Sequence, residues 1–508
     1  MLFASGGSDL GSFFVLHVFA LAFVRWSKRR APPLRRADLT IAQIPLVLNN
    51  VRWITVGARS VQTTPDFRPR DLDYDEFLAW RNNILLPGAA TFVSFSVLAG
   101  DISADQIEFA WQILCRRHPM LGARIEAAAR GARFVPLDAF PKARIRTRES
   151  ENAIEECLRF SRDADLQPGA PLFQAFAVID PRMERHVFLL VVNHAGGDGS
   201  ASMTLHDEFI DLLNTPPQTP DQPVRVLPPS ARDLLAGERR IARFFINGIA
   251  DATRQHRCSM FPYEVSAPFD ERKTTVMIAL ADPEATRSAR ERASREYGFT
   301  TFMNARLLKI QFDRLRAQGL CGARARLPLY VPINLRRILA APIGSMICNA
   351  TSGYTTDVPI EDNLDVAMIA QRIHDKTKLL RDGSIAQRLT NWYSPTLVSH
   401  ALAGIMSAQN HFGSYTTHLG GTRLHNGRAR RRLYHGFALA HGCFLEFFGA
   451  SRIQHDRLFL TMTYCEPVVK RSTAEYTFGK LVEMIGLDPA DAVVRDYDDL
   501  VGRLSVGR

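Results

Sequence analysis

Apolar and polar positions along this chain alternate with two distinct periods. Val93, Phe95 and Val97 point one way and Ser94 and Ser96 the other, the period of a half-buried strand. Ile107, Ala110, Trp111 and Leu114 then recur at i, i+3, i+4 and i+7, the stripe of an amphipathic helix. Ser103 and Gln106 supply a capping box at its start. Arg117-His118-Pro119 ends it, because the residue before a proline is pushed out of the helical region. Strands are predicted at Leu172–Ile179 and Val187–Val192. The second, VFLLVV, is apolar throughout and reads as a strand buried on both faces in the middle of a sheet. Ser200–Leu213 is the next helix.

Asn214–Ser230 (NTPPQTPDQPVRVLPPS) is too rich in proline to sustain a helix or a central strand, which makes it a linker. Beyond it the alternation resumes with a strand at Thr274–Leu280. Asp282-Pro283 then caps a helix that stops at Gly298, and another helix runs from about Phe302 to Gln318. A strand at Pro328–Ile333 and apolar segments at Phe444–Phe448 and Leu458–Tyr464 follow. Ser472 and Glu475 open a last helix that buries Phe478, Leu481, Val482 and Ile485. This order predicts an α/β chain in four parts: an extension over 1–70, an α/β half over 71–215, a Pro-rich linker with a connecting helix over 216–265, and a second α/β half over 266–508. No short tandem repeat is present.

The extension carries Phe13–Val24, apolar apart from His17, with Arg25 and Lys28-Arg29-Arg30 after it. Twelve helical residues span about 18 Å, short of the roughly 30 Å hydrocarbon core. A secretory signal would place its positive charge before the apolar run, so export is not expected. A short anchor at a membrane surface and an extension without a folded role both remain open.

Composition narrows the class. Of 508 residues, 46% are hydrophobic and 23% charged, which excludes disordered, collagen-like and disulfide-scaffold chains. The 63 Lys and Arg against 52 Asp and Glu leave a net charge of +11. The excess is scattered among acidic neighbours, so it suits an anionic donor, carrier or membrane surface better than a nucleic acid. Cysteines at 115, 157, 258, 321, 348, 443 and 465 share no metal-ligand or redox spacing, as expected of reduced thiols in a cytoplasmic protein. His435 and His441 lack companion ligands, so no metal is expected, and no nucleotide fingerprint is present. His118 reads as structural.

The candidate chemistry lies where the apolar strand ends, in Asn193-His194-Ala195-Gly196-Gly197-Asp198-Gly199-Ser200. A histidine leaving a central strand into a turn with three glycines sits where backbone can approach a ligand closely. From spacing alone, a strand end and helix cap without chemistry fits equally well.

The same residues resemble the HxxxD motif of the chloramphenicol acetyltransferase-like superfamily, which includes condensation domains, alcohol acetyltransferases, wax ester synthases and polyketide-associated acyltransferases. WQILCRRHPMLGAR (111–124), YVPINLRR (330–337), TTHLGG (416–421) and LFLTMTY (458–464) are similar to the family's flanking segments and occur in its order. The resemblance covers about 71–486. It implies two pseudo-symmetric α/β halves forming a V with a tunnel through their interface. It also implies that His194 is the catalytic histidine, Asp198 a structural acid, Gly199 the glycine closing the motif, and Arg336 the partner of that acid. Asn193 replaces the first histidine of the doubled form, and His418 stands where relatives often have Asn.

These assignments define an expected mechanism. His194, as general base, takes the proton from an attacking hydroxyl or amine. An N–H of the turn, at Gly197, or a hydroxyl of Thr416 or Thr417 stabilises the oxyanion. No Gly-x-Ser-x-Gly elbow is present to make an acyl-enzyme. Arg428, Arg430, Arg431 and Arg432, near Arg423, form the densest basic patch, which reads either as a solvated loop or as a contact for donor phosphates. The expected activity is acyl transfer from a thioester, acyl-CoA or an acyl carrier protein, to an alcohol or lipid-like acceptor. No cofactor is expected, and the protein is expected to be monomeric. A free-standing amide-forming condensation enzyme and a non-catalytic acyl-binding protein are the alternatives.

Overall fold

The computed structural model describes residues 69–503, less the stretches 148–163, 235–260, 382–408, 420–428 and 439–444 and some shorter ones. The chain opens with β1 (Arg70–Asp71), α1 (Tyr74–Leu85), β2 (Thr91–Ala99), α2 (Ala104–Arg117), β3 (Ala123–Ala128), β4 (Gly131–Pro136), β5 (Arg144–Thr147), β6 (Phe173–Asp180), β7 (Arg185–Asn193) and α3 (Gly199–Asn214). It continues through β8 (Phe261–Pro262), β9 (Lys273–Leu280), α4 (Pro283–Arg295), α5 (Phe299–Ala317), β10 (Arg324–Asn334), β11 (Thr351–Glu361) and α6 (Val366–Arg381). It ends with β12 (Asn410–His411), β13 (Gly413–His418), β14 (Arg430–Ala438), β15 (Leu445–Gln454), β16 (Arg457–Glu466), α7 (Arg471–Met484) and α8 (Pro489–Ala492).

Two sheets stack face to face between layers of helices, which is an α/β architecture. The first sheet has the order β14-β2-β7-β6-β5, with VFLLVV at its centre in β7. The period-two side chains of its strands divide between two cores. Leu98, Ala175, Phe188, Leu190 and Val192 meet Trp111, Leu114, Leu205 and Phe209 of α2 and α3. Val93, Phe95, Val97, Val178, Leu189 and Val191 meet Ile278, Leu280 and Phe459 of the second sheet. That sheet, β13-β15-β16-β9, turns Leu458, Leu460 and Met462 to Phe302, Phe478, Leu481 and Val482 of α5 and α7. The β10–β11 ribbon packs separately on α5 and α6 through Leu327, Leu329, Val358 and Ile360.

The capping box of α2 forms as expected, with Ser103 and Gln106 each bonding the other's backbone N–H. Three expectations need correction. β2 is buried on both faces, with Ser94 and Ser96 sealed under α3, because His206 satisfies their hydroxyls at 3.0 and 2.9 Å. α7 begins at Arg471, and no side chain of its own turn caps it; Glu264 accepts from the Lys470 N–H and the Thr473 hydroxyl, each at 2.6 Å. Residues 430–438 form a strand instead of a loop, and that strand is the edge of the first sheet beside β2.

Among the described residues no helix is long and apolar enough to cross a membrane. Phe13–Val24 and nearly all of the 1–70 extension lie outside the described residues, as does most of the connecting helix expected within 216–265. The described residues of the Pro-rich stretch beyond α3 carry neither helix nor strand.

Candidate functional site

β7 ends at Asn193 and α3 begins at Gly199, so the HxxxD turn lies between a central strand and a helix N-terminus. Asn193, in place of the doubled motif's first histidine, closes the turn: its side-chain oxygen accepts the Ala195 N–H at 3.0 Å. The His194 N–H donates to the Ala90 carbonyl at 2.8 Å. Ala90 is itself gripped by the buried Asn83 amide at 2.8 and 3.2 Å. Gly197 is required for close approach, since a Cβ there would lie 2.6 Å from the Phe173 ring. The turn is thereby seated on β6.

The half-buried His194 ring leans on Phe92 with centroids 4.8 Å apart. Burial lowers its pKa below the usual histidine value, and the Asp198 carboxylate and a hydrogen bond with the Gly197 backbone oppose that shift. The net direction keeps the imidazole neutral at neutral pH, the form in which a ring nitrogen can accept a proton.

Asp198 is buried and its oxygens have other partners. Oδ1 caps α3 by accepting the Ala201 N–H at 2.8 Å. Oδ2 accepts from Arg336, from the Ala350 N–H at 2.9 Å and from the Thr351 hydroxyl at 3.1 Å. Arg336 also donates to the Cys348 carbonyl at 3.2 Å. Asp198 therefore fastens the β10–β11 ribbon to the start of α3. The fold thus brings Arg336 and Asp198 together across 138 residues of chain. Ala350 and Thr351 were not foreseen; they lie some 150 residues further along the chain, and no spacing rule links them to the motif.

β13 supplies the facing wall. Its register pairs Thr416 with Gly449 and Thr417 with Ala450, and alternation puts Thr416 and Thr417 on opposite faces. Thr416 belongs to the face turned to α5. Asn304 of α5 bonds its backbone N–H at 2.7 Å and its carbonyl at 3.1 Å. Thr417 shares its face with Leu419, and a Cβ on Gly199 would lie 3.8 Å from the Leu419 side chain. Of the two hydroxyl candidates for the oxyanion, Thr417 is therefore the one on the motif's side of β13, and Thr416 is turned away from it. His418 points towards α5, stacked on Phe299 with centroids 4.9 Å apart. Burial and the charges of Arg452 and Arg290 bring its pKa down to about 4.

The basic patch does not form one surface. Arg430 is exposed, whereas Arg431 is buried in an ion pair with Asp207 at 2.5 Å. Arg423, Arg428 and His441, together with the side chains of Arg432 and His435, lie outside the described residues. His118 joins Glu208 at 2.8 Å and ties α2 to α3.

Beneath the site, burial and the Arg431 charge hold His206 well below the usual histidine pKa. An unfolded chain takes up protons at His194, His206 and His418 as pH falls below about 6.5, and the folded chain resists doing so. These histidines therefore contribute a downward slope of stability from pH 7 to pH 5, up to about 1.4 kcal/mol per pH unit for each proton taken up only on unfolding, which is opposed by the Glu76 carboxyl that burial raises to about 7. In denaturant titrations His206→Gln should flatten that slope. An unchanged slope would show that His206 titrates alike in both states.

No family model and no curated protein sequence matches the chain. Solved structures do. The chain is similar to polyketide synthase associated protein 5 from Mycobacterium tuberculosis, at 15% identity over 82% of this chain and 97% of that one, with a TM-score of 0.56. It is similar to trichothecene 15-O-acetyltransferase from Fusarium sporotrichioides, at 10% identity over 82% and 95%, with a TM-score of 0.65. It is also similar to a variant of the starter condensation domain of rhizomide synthetase in complex with C8-CoA, at 15% identity over 84% and 95%, with a TM-score of 0.55. The chain has the fold of condensation domains and chloramphenicol acetyltransferase-like acyltransferases.

Proposed function

We propose that this chain transfers an acyl group from a thioester, acyl-CoA in the leading reading, to a hydroxyl acceptor, with His194 as general base. The observation that carries the reading is the division of labour in the turn. Asp198 is fully engaged in fixing geometry, while His194 is left neutral and half-buried beside it. As the acceptor oxygen attacks the thioester carbonyl, its proton passes to an imidazole nitrogen. The tetrahedral oxyanion is met by the Thr417 hydroxyl or a turn N–H such as that of Gly197. Collapse breaks the carbon–sulfur bond, and the departing thiolate takes the proton back from the imidazolium. No covalent enzyme intermediate is needed.

The similar structures support this class, since one is an O-acetyltransferase and another holds C8-CoA. The test is thiol release from a panel of acyl-CoAs with candidate alcohols and amines. CoA release that depends on the acceptor is expected. Turnover only with carrier-bound thioesters would move the protein to the amide-forming alternative. Saturable binding without release in either assay would make it an acyl-binding protein and overturn the proposal.

A further inference from the structure

The second wall of the site carries aromatic rings that the chemistry above does not use. Tyr330 of β10, Tyr415 of β13 and Phe448 of β15 are each half-buried. Tyr330 and Tyr415 lie with centroids 5.0 Å apart at 52°, and Tyr415 meets Phe448 edge to face at 5.1 Å and 75°. Two independent routes connect this cluster to the HxxxD turn, each running four strand residues, about 13 Å, from ring to contact point. Along β13, alternation puts Tyr415 on the face of Thr417 and Leu419, and Leu419 lies against Gly199. Along the ribbon, Tyr330 shares a face with Asn334, Thr351 and Gly353. Thr351 bonds Asp198 at 3.1 Å, and Asn334 reaches the Ser200 hydroxyl at 3.4 Å.

Gly353 determines where the Tyr330 ring lies. A Cβ on Gly353 would run into the Tyr330 hydroxyl and sit 2.7 Å from its Cε2, so the ring can lie flat across β11 only because residue 353 has no side chain. From Gly353 to Thr351 is two strand residues, about 7 Å. The phenol end of Tyr330 is therefore aimed along the ribbon towards the partners of Asp198.

We infer that Tyr330, Tyr415 and Phe448, with Gly353 as the floor that lets Tyr330 lie down, form the surface that receives a flat or extended apolar group of the substrate. The inference rests on the proposed acyl transfer. Rings in edge and tilted contact offer an apolar face that favours an alkyl chain or a fused ring over an acetyl group or a small polar acceptor. The shared chemistry is an apolar body of about six carbons or more. It could arrive as the acyl chain of the donor or as the skeleton of the acceptor.

The test reads binding without turnover, so it stands or falls apart from the role of His194. Calorimetric titration of the full chain with acetyl-CoA, octanoyl-CoA and 2-naphthylmethanol is compared for wild type, Phe448→Leu, Tyr415→Leu and Gly353→Ala. Wild type should bind octanoyl-CoA at least tenfold more tightly than acetyl-CoA if the wall takes the acyl chain, or bind 2-naphthylmethanol saturably if it takes the acceptor. All three variants should lose that advantage about tenfold while acetyl-CoA binding stays within twofold. Gly353→Ala keeps every ring and only displaces Tyr330, and Tyr415→Phe, which keeps its ring, should bind as wild type does. No preference for either apolar probe in wild type overturns the inference. So does a preference that survives in all three folded variants.

Discussion

Replacing His194 with Ala should slow turnover by about 10²–10⁴-fold, the usual contribution of a positioned general base, while the protein stays folded. Both halves of the expectation come from the geometry. The His194 backbone is held by the Ala90 carbonyl, and the turn around it by the Asn193 and Asp198 side chains, so removing the imidazole costs the turn its hydrogen bond with the Gly197 backbone and leaves these others in place. Its ring contact with Phe92 is with a half-buried neighbour, so the packing lost is modest. The loss should lie in kcat, because the imidazole takes up the proton only as the new bond forms. Thiol release from the acyl-CoA and acceptor pair that wild type uses best, followed alongside thermal unfolding, separates chemistry from folding. A variant that keeps near wild-type kcat would end the assignment of His194 as base.

The elements legible in the sequence were those in which one local signal sufficed. The Ser103–Gln106 box, the Asp282-Pro283 start of α4 and the apolar run of β7 each declare themselves within a few residues, and each is in place. Elements specified by distant partners were not legible. β2 reads as half-buried because its serines are polar, but a serine bonded to a buried histidine more than a hundred residues away is satisfied without water. The cap of α7 is a glutamate some two hundred residues upstream. β14 looked like a charged loop because its arginines dominate the pattern; one of them, Arg431, is neutralised inside the fold by Asp207. The site divides in the same way. His194, Asp198 and Gly199 announce themselves as a turn, and Arg336 came only with the family resemblance. Ala350, Thr351 and the Tyr330 ring over Gly353 are products of the ribbon's register, to which spacing along the chain is blind.

Asp198→Ala should be the most destabilising single change at the site, by about 3–5 kcal/mol, the cost of removing one partner of a buried, hydrogen-bonded charge pair. Four donors lose their acceptor at once: the Ala201 N–H, the Arg336 guanidinium, the Ala350 N–H and the Thr351 hydroxyl. Arg336→Leu should cost less, because Asp198 keeps its other three donors. The Arg336 side chain is 15% exposed against 1% for Asp198, so water can reach the gap. The double variant should recover part of the sum, with a coupling of about 0.5–3 kcal/mol; strict additivity would mean that the pair does not hold the ribbon to α3. The catalytic consequence has a definite sign. The Asp198 carboxylate raises the His194 pKa against the effect of burial. In a milder variant such as Asp198→Asn, which keeps an oxygen to cap α3, the acid limb of kcat/KM should move to lower pH. A proton relay from His194 to Asp198 would instead require a hydrogen bond between them, and both carboxylate oxygens are spoken for elsewhere. An acid limb that moves to higher pH in Asp198→Asn would therefore contradict the geometry of the turn as well as the role assigned to its acid.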